Sequence, residues 1–339
     1  MEQPSLIEVT QLTRRYGALT AVDSISFKLE RGEVLGFLGP NGAGKSTTMQ
    51  MLTGNLAPSA GRIRINGVDL LDEPQRAKAQ LGYLPEQPPL YRDLTVDEYL
   101  RYCAQLHRVP RARLPGALAE AKRRSGLSDA GARLIANLSK GYRQRVGIAQ
   151  AIIHDPAVVI LDEPTVGLDP IQIREIRDLI RDLGSNHGVI LSTHILPEVQ
   201  STCDRVQIIN VGRLVFSDRL DALTGQSHCA SVTVGLAHAP DDAALGALPG
   251  VGRVEHLADG RRRLHGETGH PDDWARTLGT ALARQAADNG WGLYELAPEY
   301  RSLEQVFVDI TSGDASPPPP GEAVPAGTGA GTGAGEDAA

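Results

Sequence analysis

The feature that most restricts the fold of this chain is a glycine-rich stretch at residues 39–46, GPNGAGKS, which fits the pattern G-x-x-x-x-G-K-[ST]. It follows a short continuous apolar run at residues 34–38, as expected of a buried parallel strand, and it precedes a helix-like stretch at residues 46–53. Glycines in this position allow consecutive backbone N–H groups to turn toward a phosphate group at the positive end of the helix. The stretch therefore predicts a nucleotide-binding α/β fold rather than a glycine-rich turn that contains a lysine by chance.

The same stretch, named here the phosphate loop, predicts which residues would hold a nucleoside triphosphate. The ammonium group of Lys45 would contact the β- and γ-phosphates, and the hydroxyl group of Ser46 would be a ligand of Mg²⁺. The predicted nucleotide-binding residues in and beside the loop are Gly39, Asn41, Gly42, Gly44, Lys45, Ser46 and Thr47.

A second apolar run, residues 158–161, ends in two carboxylates, Asp162 and Glu163. Acids commonly flank strand ends in α/β folds, so the pair alone is a weak signal. Beside a phosphate loop, however, a buried strand would deliver Asp162 to the Mg²⁺ site and Glu163 to the attacking water molecule. We interpret Asp162 as a metal ligand and Glu163 as the residue that orients and polarises this water.

Strands and helices alternate along the first two thirds of the chain. Residues 24–29 alternate apolar and polar side chains, which is typical of a half-exposed antiparallel strand, and residues 189–191 form another buried run. Thr95 and Glu98 form a candidate capping box before a helix. This alternation predicts a mostly parallel sheet with an antiparallel flank. Two amphipathic helices are predicted, one with Tyr99, Leu100, Cys103 and Leu106 on its apolar face and one with Ile173, Ile176, Ile180 and Leu183.

The pattern changes near residues 223–227. Beyond this point the predicted order is strand, helix, a hairpin around Asp259 and Gly260, helix and strand, which resembles a small α+β domain of split βαβ, ferredoxin-like type. We assign this second unit to dimerisation or regulation, because it contains no phosphate loop, metal-ligand spacing or acid–base pair. The predicted domains are 1–223, 228–312 and a tail, 313–339.

The end of the chain is predicted to contain a helix and then a disordered tail. The helix would have Ser302 and Gln305 as a capping box and would bury an apolar face in its own domain or against a second copy. The tail is rich in Gly, Pro and Ala and contains no Lys or Arg, so it has little apolar surface to offset its ordering entropy. The apolar face of the helix consists of Leu303, Val306, Phe307 and Ile310.

Composition argues against several classes of protein. The 339 residues carry 34 Lys and Arg against 41 Asp and Glu, a net charge of −7, whereas sequence-independent binding to nucleic acid needs a basic face. No stretch approaches the ~18 uncharged apolar residues of a membrane span, and the opening residues MEQPSL lack the apolar core of a secretory signal. The 3 cysteines are far apart, which indicates a reduced compartment. We expect a cytoplasmic protein unless a partner holds it elsewhere.

Residues 138–142, LSKGY, precede a stretch of helical periodicity. Ser139 and Gly141 at a helix N-terminus are consistent with an ordinary N-cap and with an anion site. Their position some 20 residues before Asp162 favours the anion site over an ordinary N-cap. At this point the sequence resembles the ATP-binding cassette (ABC) ATPases, whose signature between the two phosphate-site motifs is usually written LSGGQ. The resemblance covers about residues 6–219 and implies a P-loop NTPase cassette.

The resemblance implies roles for further residues. Tyr16 matches the aromatic residue that stacks on adenine, with a core tyrosine at a strand end as the alternative. Gln87 matches the Q-loop glutamine that senses the metal, and Asp169 ends the D-loop, residues 167–169. His194, after the last buried run, matches the switch histidine that contacts the γ-phosphate. The implied catalytic residues are Glu163, His194 and Lys45, and the implied metal ligands are Ser46, Gln87 and Asp162.

The resemblance also implies two partners. The signature of one subunit must close on the phosphate loop of another, so two copies would form a head-to-tail dimer with ATP between Lys45 and Ser46 of one copy and Ser139 and Gly141 of the other. Without a membrane span, transport requires a permease from another gene, docked on a helical subdomain at residues 88–137. The implied function is the ATP-hydrolysing subunit of an ABC transporter, peripheral on the inner face of the cell membrane.

The signature departs from the commonest form at Lys140 and Tyr142. The form LSKGY followed by R-Q-R resembles the ATPases that serve separately encoded exporter permeases, including drug-efflux, sodium-export and gliding-associated systems. The segment SLEQVF at residues 302–307 is also similar to that class. The transported substrate is not implied.

Two other functions were weighed. A soluble ABC ATPase acting on ribosomes or DNA usually has tandem cassettes or long coiled-coil insertions, and the acidic balance also argues against it, so we expect no nucleic-acid partner. A regulatory module that holds ATP without turnover would not need Glu163 and His194. The basic run Arg261-Arg262-Arg263 is interpreted as a solvated face of a hairpin rather than a nucleic-acid or lipid patch.

Overall fold

The computed structural model describes residues 5–220, 229–267, 273–300 and 307–308. The strands in these ranges are β1 (Ile7–Tyr16), β2 (Leu19–Leu29), β3 (Val34–Leu38), β4 (Ala60–Ile65), β5 (Val68–Asp69), β6 (Leu81–Leu84), β7 (Val158–Asp162), β8 (Gly188–Thr193), β9 (Arg205–Asn210), β10 (Arg213–Arg219), β11 (Cys229–Leu236), β12 (Val251–His256), β13 (Arg262–Gly266) and β14 (Leu293–Tyr300). The α-helices are α1 (Lys45–Leu52), α2 (Pro74–Lys78), α3 (Val96–Leu106), α4 (Leu114–Arg124), α5 (Lys140–Ile152), α6 (Pro170–Gly184), α7 (Leu196–Thr202), α8 (Asp242–Gly246) and α9 (Trp274–Asp288).

The central sheet has the strand order β10-β9-β3-β8-β7-β6. Its five strands from β9 to β6 run parallel, and β10 pairs antiparallel with β9. Every residue of β3, β7 and β8 is buried, because helices and the second sheet cover both faces. The predicted parallel sheet is confirmed.

A smaller antiparallel sheet of order β2-β1-β4-β5 forms the predicted flank. Its strand β2 alternates buried and exposed side chains, since one face packs on the central sheet and the other faces solvent. The rings of Phe27 from this sheet and Phe37 from β3 are 5.7 Å apart at their centroids. This contact lies in an apolar core shared by the two sheets.

A helical segment between β6 and β7 contains α3, α4, two short 3₁₀ turns and α5. The predicted capping box is present, because Thr95 accepts a hydrogen bond from the backbone of Glu98 and the Glu98 carboxylate accepts one from the backbone of Thr95. The placement of Leu106 on the buried face was wrong. Its side chain is 63% exposed, because the last turn of α3 extends beyond the apolar core.

The second unit has its own antiparallel sheet of order β12-β13-β11-β14, with α8 and α9 completing the predicted β-α-β-β-α-β order. Its core is formed by residues of this unit, among them Val232, Leu264, Trp274 and Leu278. The last strand, which the apolar pattern predicts at Trp291 to Leu296, spans Leu293–Tyr300. Within the described ranges, none of the helices combines the length and apolar content needed to span a lipid bilayer.

Several predictions for the end of the chain lie outside the described residues. These are the unit boundary at 223–227, the capping box of the final helix and the tail at 313–339. Phe307 is described, and its half-buried side chain packs against the apolar core of the first unit. This contact differs from both expected positions, which were the second unit and a second copy.

Three histidines of the first unit have a lowered pKa. The ring of His154 stacks on His107 at a centroid distance of 3.7 Å, and its Nε2 atom donates to the Leu81 carbonyl at 3.1 Å. Burial, followed by the neighbouring His107, lowers the pKa of His154 to about 4. Burial also lowers the pKa of His107 and of His187. The folded state therefore resists protonation at these positions.

We expect the protein to lose stability as the pH falls below about 6.5, the ordinary histidine pKa. A histidine with a lowered folded-state pKa binds fewer protons in the folded than in the unfolded state, so acid favours unfolding. His154 alone should lower the free energy of unfolding by roughly 1 kcal/mol between pH 7.5 and pH 5.5. Urea unfolding at the two pH values measures the change.

The variant His154→Gln, which keeps a side-chain donor, should show a smaller difference between the two pH values. The variant His238→Gln is the control, because His238 is exposed. An equal loss of stability in wild type and His154→Gln would show that His154 does not carry this effect.

Candidate functional site

The predicted reactive residues lie at the carboxyl ends of neighbouring parallel strands. The phosphate loop follows β3, Asp162 ends β7 with Glu163 directly after it, and His194 follows β8. The segment with Glu86 and Gln87 follows β6. Because β6, β7, β8 and β3 are adjacent in the sheet, these chain ends meet at one edge, where parallel α/β sheets hold their ligands.

A cavity of about 360 Å³ opens at this edge. It joins most of the phosphate loop to Glu163 and His194 in one polar space. Its lining residues are Ala21, Asn41, Gly42, Gly44, Lys45, Ser46, Thr47, Glu86, Glu163, Val166 and His194.

The phosphate loop needs glycine at Gly44, the residue that caps the N-terminus of α1. Its φ is +108°, a left-handed conformation that side chains rarely adopt. A Cβ atom here would also lie 2.6 Å from the Ala21 carbonyl oxygen. The loop is thus held tightly against the start of β2 while it wraps around the positive end of α1.

Lys45 is buried at the start of α1 and lines the cavity. It donates to the carbonyls of Gly39 at 2.8 Å and Pro40 at 3.3 Å, and it lies 3.8 Å from the Glu163 carboxylate. Burial lowers the pKa of Lys45, and the carboxylates of Glu163, Asp162 and Glu86 partly oppose this effect. The loop carbonyls and the acids together hold a cation at the predicted phosphate position.

Glu163 has an unusual backbone conformation for a residue with a side chain. Its φ is +48°, and its N–H donates to the carbonyl of Ser192 at 2.9 Å. Its carboxylate accepts from His194 Nδ1 at 2.9 and 3.0 Å. Because the carboxylate can only accept here, Nδ1 carries the proton and Nε2 is left for a ligand. Glu163 and His194 form an acid–base pair beside Lys45.

Asp162 is buried, and its Oδ1 atom has no hydrogen-bond partner among the described residues. Burial raises its pKa, and the nearby carboxylates of Glu163 and Glu86 act in the same direction. An unpaired carboxylate oxygen suits Mg²⁺, which takes few protein oxygens and completes its shell with phosphates and water. The described residues contain no cluster of three or more His, Cys, Asp or Glu that could hold a metal by itself.

Sequence reasoning missed three residues that line the cavity, and several of the residues that it predicted for the site do not line it. Ala21, Glu86 and Val166 line the cavity. In the described part of the chain, Gln87 is exposed and does not line it, and neither does Tyr16. Tyr16 is 45% exposed at the end of β1, where the Arg14 guanidinium lies 4.6 Å from its ring centroid.

The signature residues are separated from this cavity within one copy. Ser139 caps α5, since its Oγ atom accepts from the Tyr142 N–H at 3.3 Å. Gly141 touches the Gln172 side chain so closely that a Cβ atom would overlap it. As far as the chain is described, neither Ser139 nor Gly141 lines the cavity.

The D-loop and α6 pack against the segment that carries the signature. Asp169 caps α6 by accepting from the backbone N–H groups of Ile171 and Gln172, which fixes the residue that contacts Gly141. Further along, Arg145 of α5 forms an ion pair with Glu175 of α6. The N-terminus of α5, which carries the signature, is therefore fixed against the N-terminus of α6, which follows the D-loop.

Tyr142, which departs from the usual signature, is held between two cations. The guanidinium groups of Arg133 and Arg145 lie 5.5 and 5.8 Å from its ring centroid. The side chain remains 38% exposed at the first turn of α5. It presents a fixed aromatic surface beside Ser139.

Comparison with known proteins identifies relatives of this site. The family described as ABC transporter matches residues 22–166, which include the phosphate loop, the signature, Asp162 and Glu163. The ABC transporter ATP-binding protein YdbJ of Bacillus subtilis is 32% identical over 315 residues, covering 92% of this chain and 97% of YdbJ. The Nod factor export ATP-binding protein I of Ralstonia nicotianae is 38% identical over 215 residues, covering 62% of this chain and 66% of that protein.

A solved structure has the same fold as the first unit. An ATP-binding subunit of an ABC transporter superposes with a TM-score of 0.60 at 35% sequence identity. The match covers 66% of this chain and 93% of that subunit. The mixed α/β fold of the first unit is thus the fold of this solved subunit.

Proposed function

Since this chain belongs to the ABC transporter family as an ATP-binding subunit, we propose that it hydrolyses ATP to power a separate membrane permease of the exporter class. The observation that carries the proposal is the meeting of Lys45, Glu163 and His194 in one cavity with the phosphate loop. A module that only bound nucleotide would need the loop but not the Glu163–His194 pair.

The phosphate loop binds the triphosphate. Its N–H groups and the positive end of α1 face the β-phosphate, and Lys45 moves from the loop carbonyls to the β- and γ-oxygens. Ser46 and Asp162 would hold Mg²⁺ together with the phosphates, and Gln87 would join them only if its segment moved inward. When bound, Mg²⁺ neutralises negative charge that develops on the phosphate oxygens. We assign Asn41, Thr47 and Tyr16 to nucleotide contacts.

Glu163 acts on the attacking water. Its carboxylate accepts a hydrogen bond from the water and orients its lone pair toward the γ-phosphorus. His194 holds Glu163 through Nδ1–H and offers Nε2 to the γ-phosphate side. ADP and phosphate are the products.

A second copy completes each site. In the described part of one copy, Ser139 and Gly141 do not line the cavity that contains Lys45, so we place them against the γ-phosphate held by another copy, in a head-to-tail dimer. Asp169 of the D-loop would lie between the two sites, because it supports the helix that contacts Gly141. ATP binding closes such a dimer, and hydrolysis opens it.

A groove of about 630 Å³ fits the proposed permease contact. It lies between the helical segment and the central sheet, and it includes Tyr83, Pro85, Pro89, His107 and Gln150. The permease would insert a cytoplasmic loop here, which would place this chain on the inner face of the membrane. A neighbouring gene for a protein with six membrane spans would support this partner, and a lone gene would count against it.

The exporter class rests on the LSKGY signature and on the relative described as an export protein. The alternative of a ribosome or DNA partner lacks a free basic surface at the arginine run. Arg261 pairs with Asp259 and Glu295, and Arg263 pairs with Glu299 and Glu255. We assign the second unit, residues 228–312, to regulation or dimerisation.

The purified chain is expected to release phosphate from ATP in the presence of Mg²⁺. Excess EDTA should abolish the reaction, because Mg²⁺ is then no longer available to neutralise the charge on the phosphate oxygens, and added Mg²⁺ should restore it. Phosphate release and binding of a fluorescent ATP analogue are measured on the same samples. If the chain binds ATP but does not hydrolyse it at any protein concentration, the ATPase proposal is wrong and the chain is a module that only binds nucleotide.

A further inference from the structure

Glu198 is a buried acid that sequence reasoning did not identify. It lies in α7, four residues after His194, and its side chain is 1% exposed. In the described part of the chain no Lys, Arg or His forms an ion pair with it, although a buried carboxylate normally requires one. Its partners are two threonine hydroxyls, so its position depends on hydrogen bonds.

The two threonines belong to the two segments that carry the reactive pair. Thr165, two residues after Glu163, donates to Glu198 Oε1. Thr193, directly before His194, donates to Glu198 Oε2 at 2.8 Å and accepts from the Ile195 N–H at 3.1 Å. One carboxylate thus links the segment that follows β7 to the end of β8.

The joined segments are those whose spacing the chemistry needs. The Glu163 carboxylate and His194 Nδ1 are at hydrogen-bond distance, and Glu163 has a φ of +48° that its surroundings must hold. Its N–H is fixed on the Ser192 carbonyl, which lies on the same segment as Thr193. Glu198 supplies a second fixed point through Thr165, two residues after Glu163 in the chain.

We propose that Glu198 is a positioning residue for ATP hydrolysis, which holds Glu163 and His194 in register through Thr165 and Thr193. This inference rests on the proposed ATPase function. Glu198 does not line the cavity as described, so it acts on the chemical step through Glu163 and not on nucleotide binding. A displacement of about 1 Å in such a pair is enough to cost up to about 10²-fold in rate.

The first test uses Glu198→Gln, which keeps the shape but places an amide donor against a hydroxyl donor. We expect kcat to fall by about 10-fold or more, with KM for ATP within about twofold of wild type. Thr165→Val and Thr193→Val remove one hydroxyl each and should lower kcat in the same way. They decide the question if Glu198→Gln does not fold. The control is Thr202→Val, a buried hydroxyl on the same helix outside this network.

The second test asks whether Glu198 acts through Glu163. In single-turnover assays, Glu198→Gln should change the residual rate of a Glu163→Gln protein by less than about twofold, because the group that it positions is already neutral. A full additional loss in that background, or a wild-type kcat in all three network variants, would overturn the proposal. A melting temperature lowered equally by Thr202→Val without loss of kcat separates positioning from stability.

A third measurement does not depend on hydrolysis. The imidazole Nδ1–H proton of His194, assigned by its loss in His194→Gln, should give an NMR resonance that Glu198→Gln shifts or removes. If wild type hydrolyses no ATP while this resonance still responds to Glu198→Gln, the proposed function fails and the structural link remains. If ATP is hydrolysed and the resonance and kcat are both unchanged, the link itself fails.

Discussion

Replacement of Glu163 by glutamine is expected to lower the rate of ATP hydrolysis by about 10²-fold or more while ATP still binds. Glutamine keeps the shape of the side chain but cannot polarise the attacking water, and its amide no longer offers two acceptor oxygens to His194. The phosphate loop and Lys45 remain intact, so affinity for ATP should change little. Phosphate release and ATP affinity, measured on one preparation, test both parts of the expectation.

The matched control for Glu163→Gln is Glu86→Gln, which removes another carboxylate that lines the same cavity. Glu86 forms no hydrogen bond or ion pair with His194 in the described structure, so its variant should keep most of the activity. ATP-loaded Glu163→Gln should also elute as a dimer on size-exclusion chromatography, because closure occurs and hydrolysis does not reverse it. A Glu163→Gln protein with the wild-type rate would show that the base is another residue.

The central architecture was predictable from local sequence signals. Continuous apolar runs predicted β3, β7 and β8, since strands covered on both faces need no polar side chains. The capping box at Thr95 predicted where α3 begins. These signals act over a few residues and did not depend on the tertiary structure.

The failures are of another kind, since they depend on distant contacts. Leu106 fits the helical period of α3, but the period cannot tell where the covering core ends. Phe307 has no sequence signal for its contact with the first unit. The metal-site role of Gln87 stays a prediction, and its neighbour Glu86, which carries no motif signal, lines the cavity.

Glu198 shows why a site's supporting residues are harder to predict than its motif. An acid on a short helix looks like a surface residue, because nothing in the sequence shows that Thr165 and Thr193 lie opposite it. These threonines are 28 residues apart in sequence and meet only because β7 and β8 are neighbours. The available signal was the position of all three beside Glu163 and His194.

Two inactive variants should regain ATPase activity when they are mixed. Lys45→Ala removes the phosphate-binding cation from its own copy, and Ser139→Arg blocks the signature that its copy presents to a partner. In a mixed dimer, Lys45 of one copy meets Ser139 of the other, so one of two sites is intact. With random pairing half of the dimers are mixed, and the rate should return to about a quarter of wild type.

The reason for expecting this recovery is the separation seen within one copy. Ser139 and Gly141 lie at the start of α5, where Gly141 packs against Gln172, while Lys45 and Glu163 line the cavity at the carboxyl ends of β3 and β7. A chain that hydrolysed ATP as a monomer would need the cavity but not the signature. In such a chain Ser139→Arg would remove only a helix cap, worth about 1 kcal/mol of stability. That variant would then keep its activity when tested alone.

The control is a chain that carries Lys45→Ala and Ser139→Arg together. Mixed with either single variant, it cannot form an intact site, because every pairing lacks Lys45 or Ser139 at each interface. Mixed with wild type in excess, it should lower activity by drawing wild-type copies into inactive dimers. Recovery with the two single variants and none with the double variant requires that each site be shared between copies. Equal rates in both mixtures would mean that each copy works alone, and the head-to-tail dimer would then be wrong.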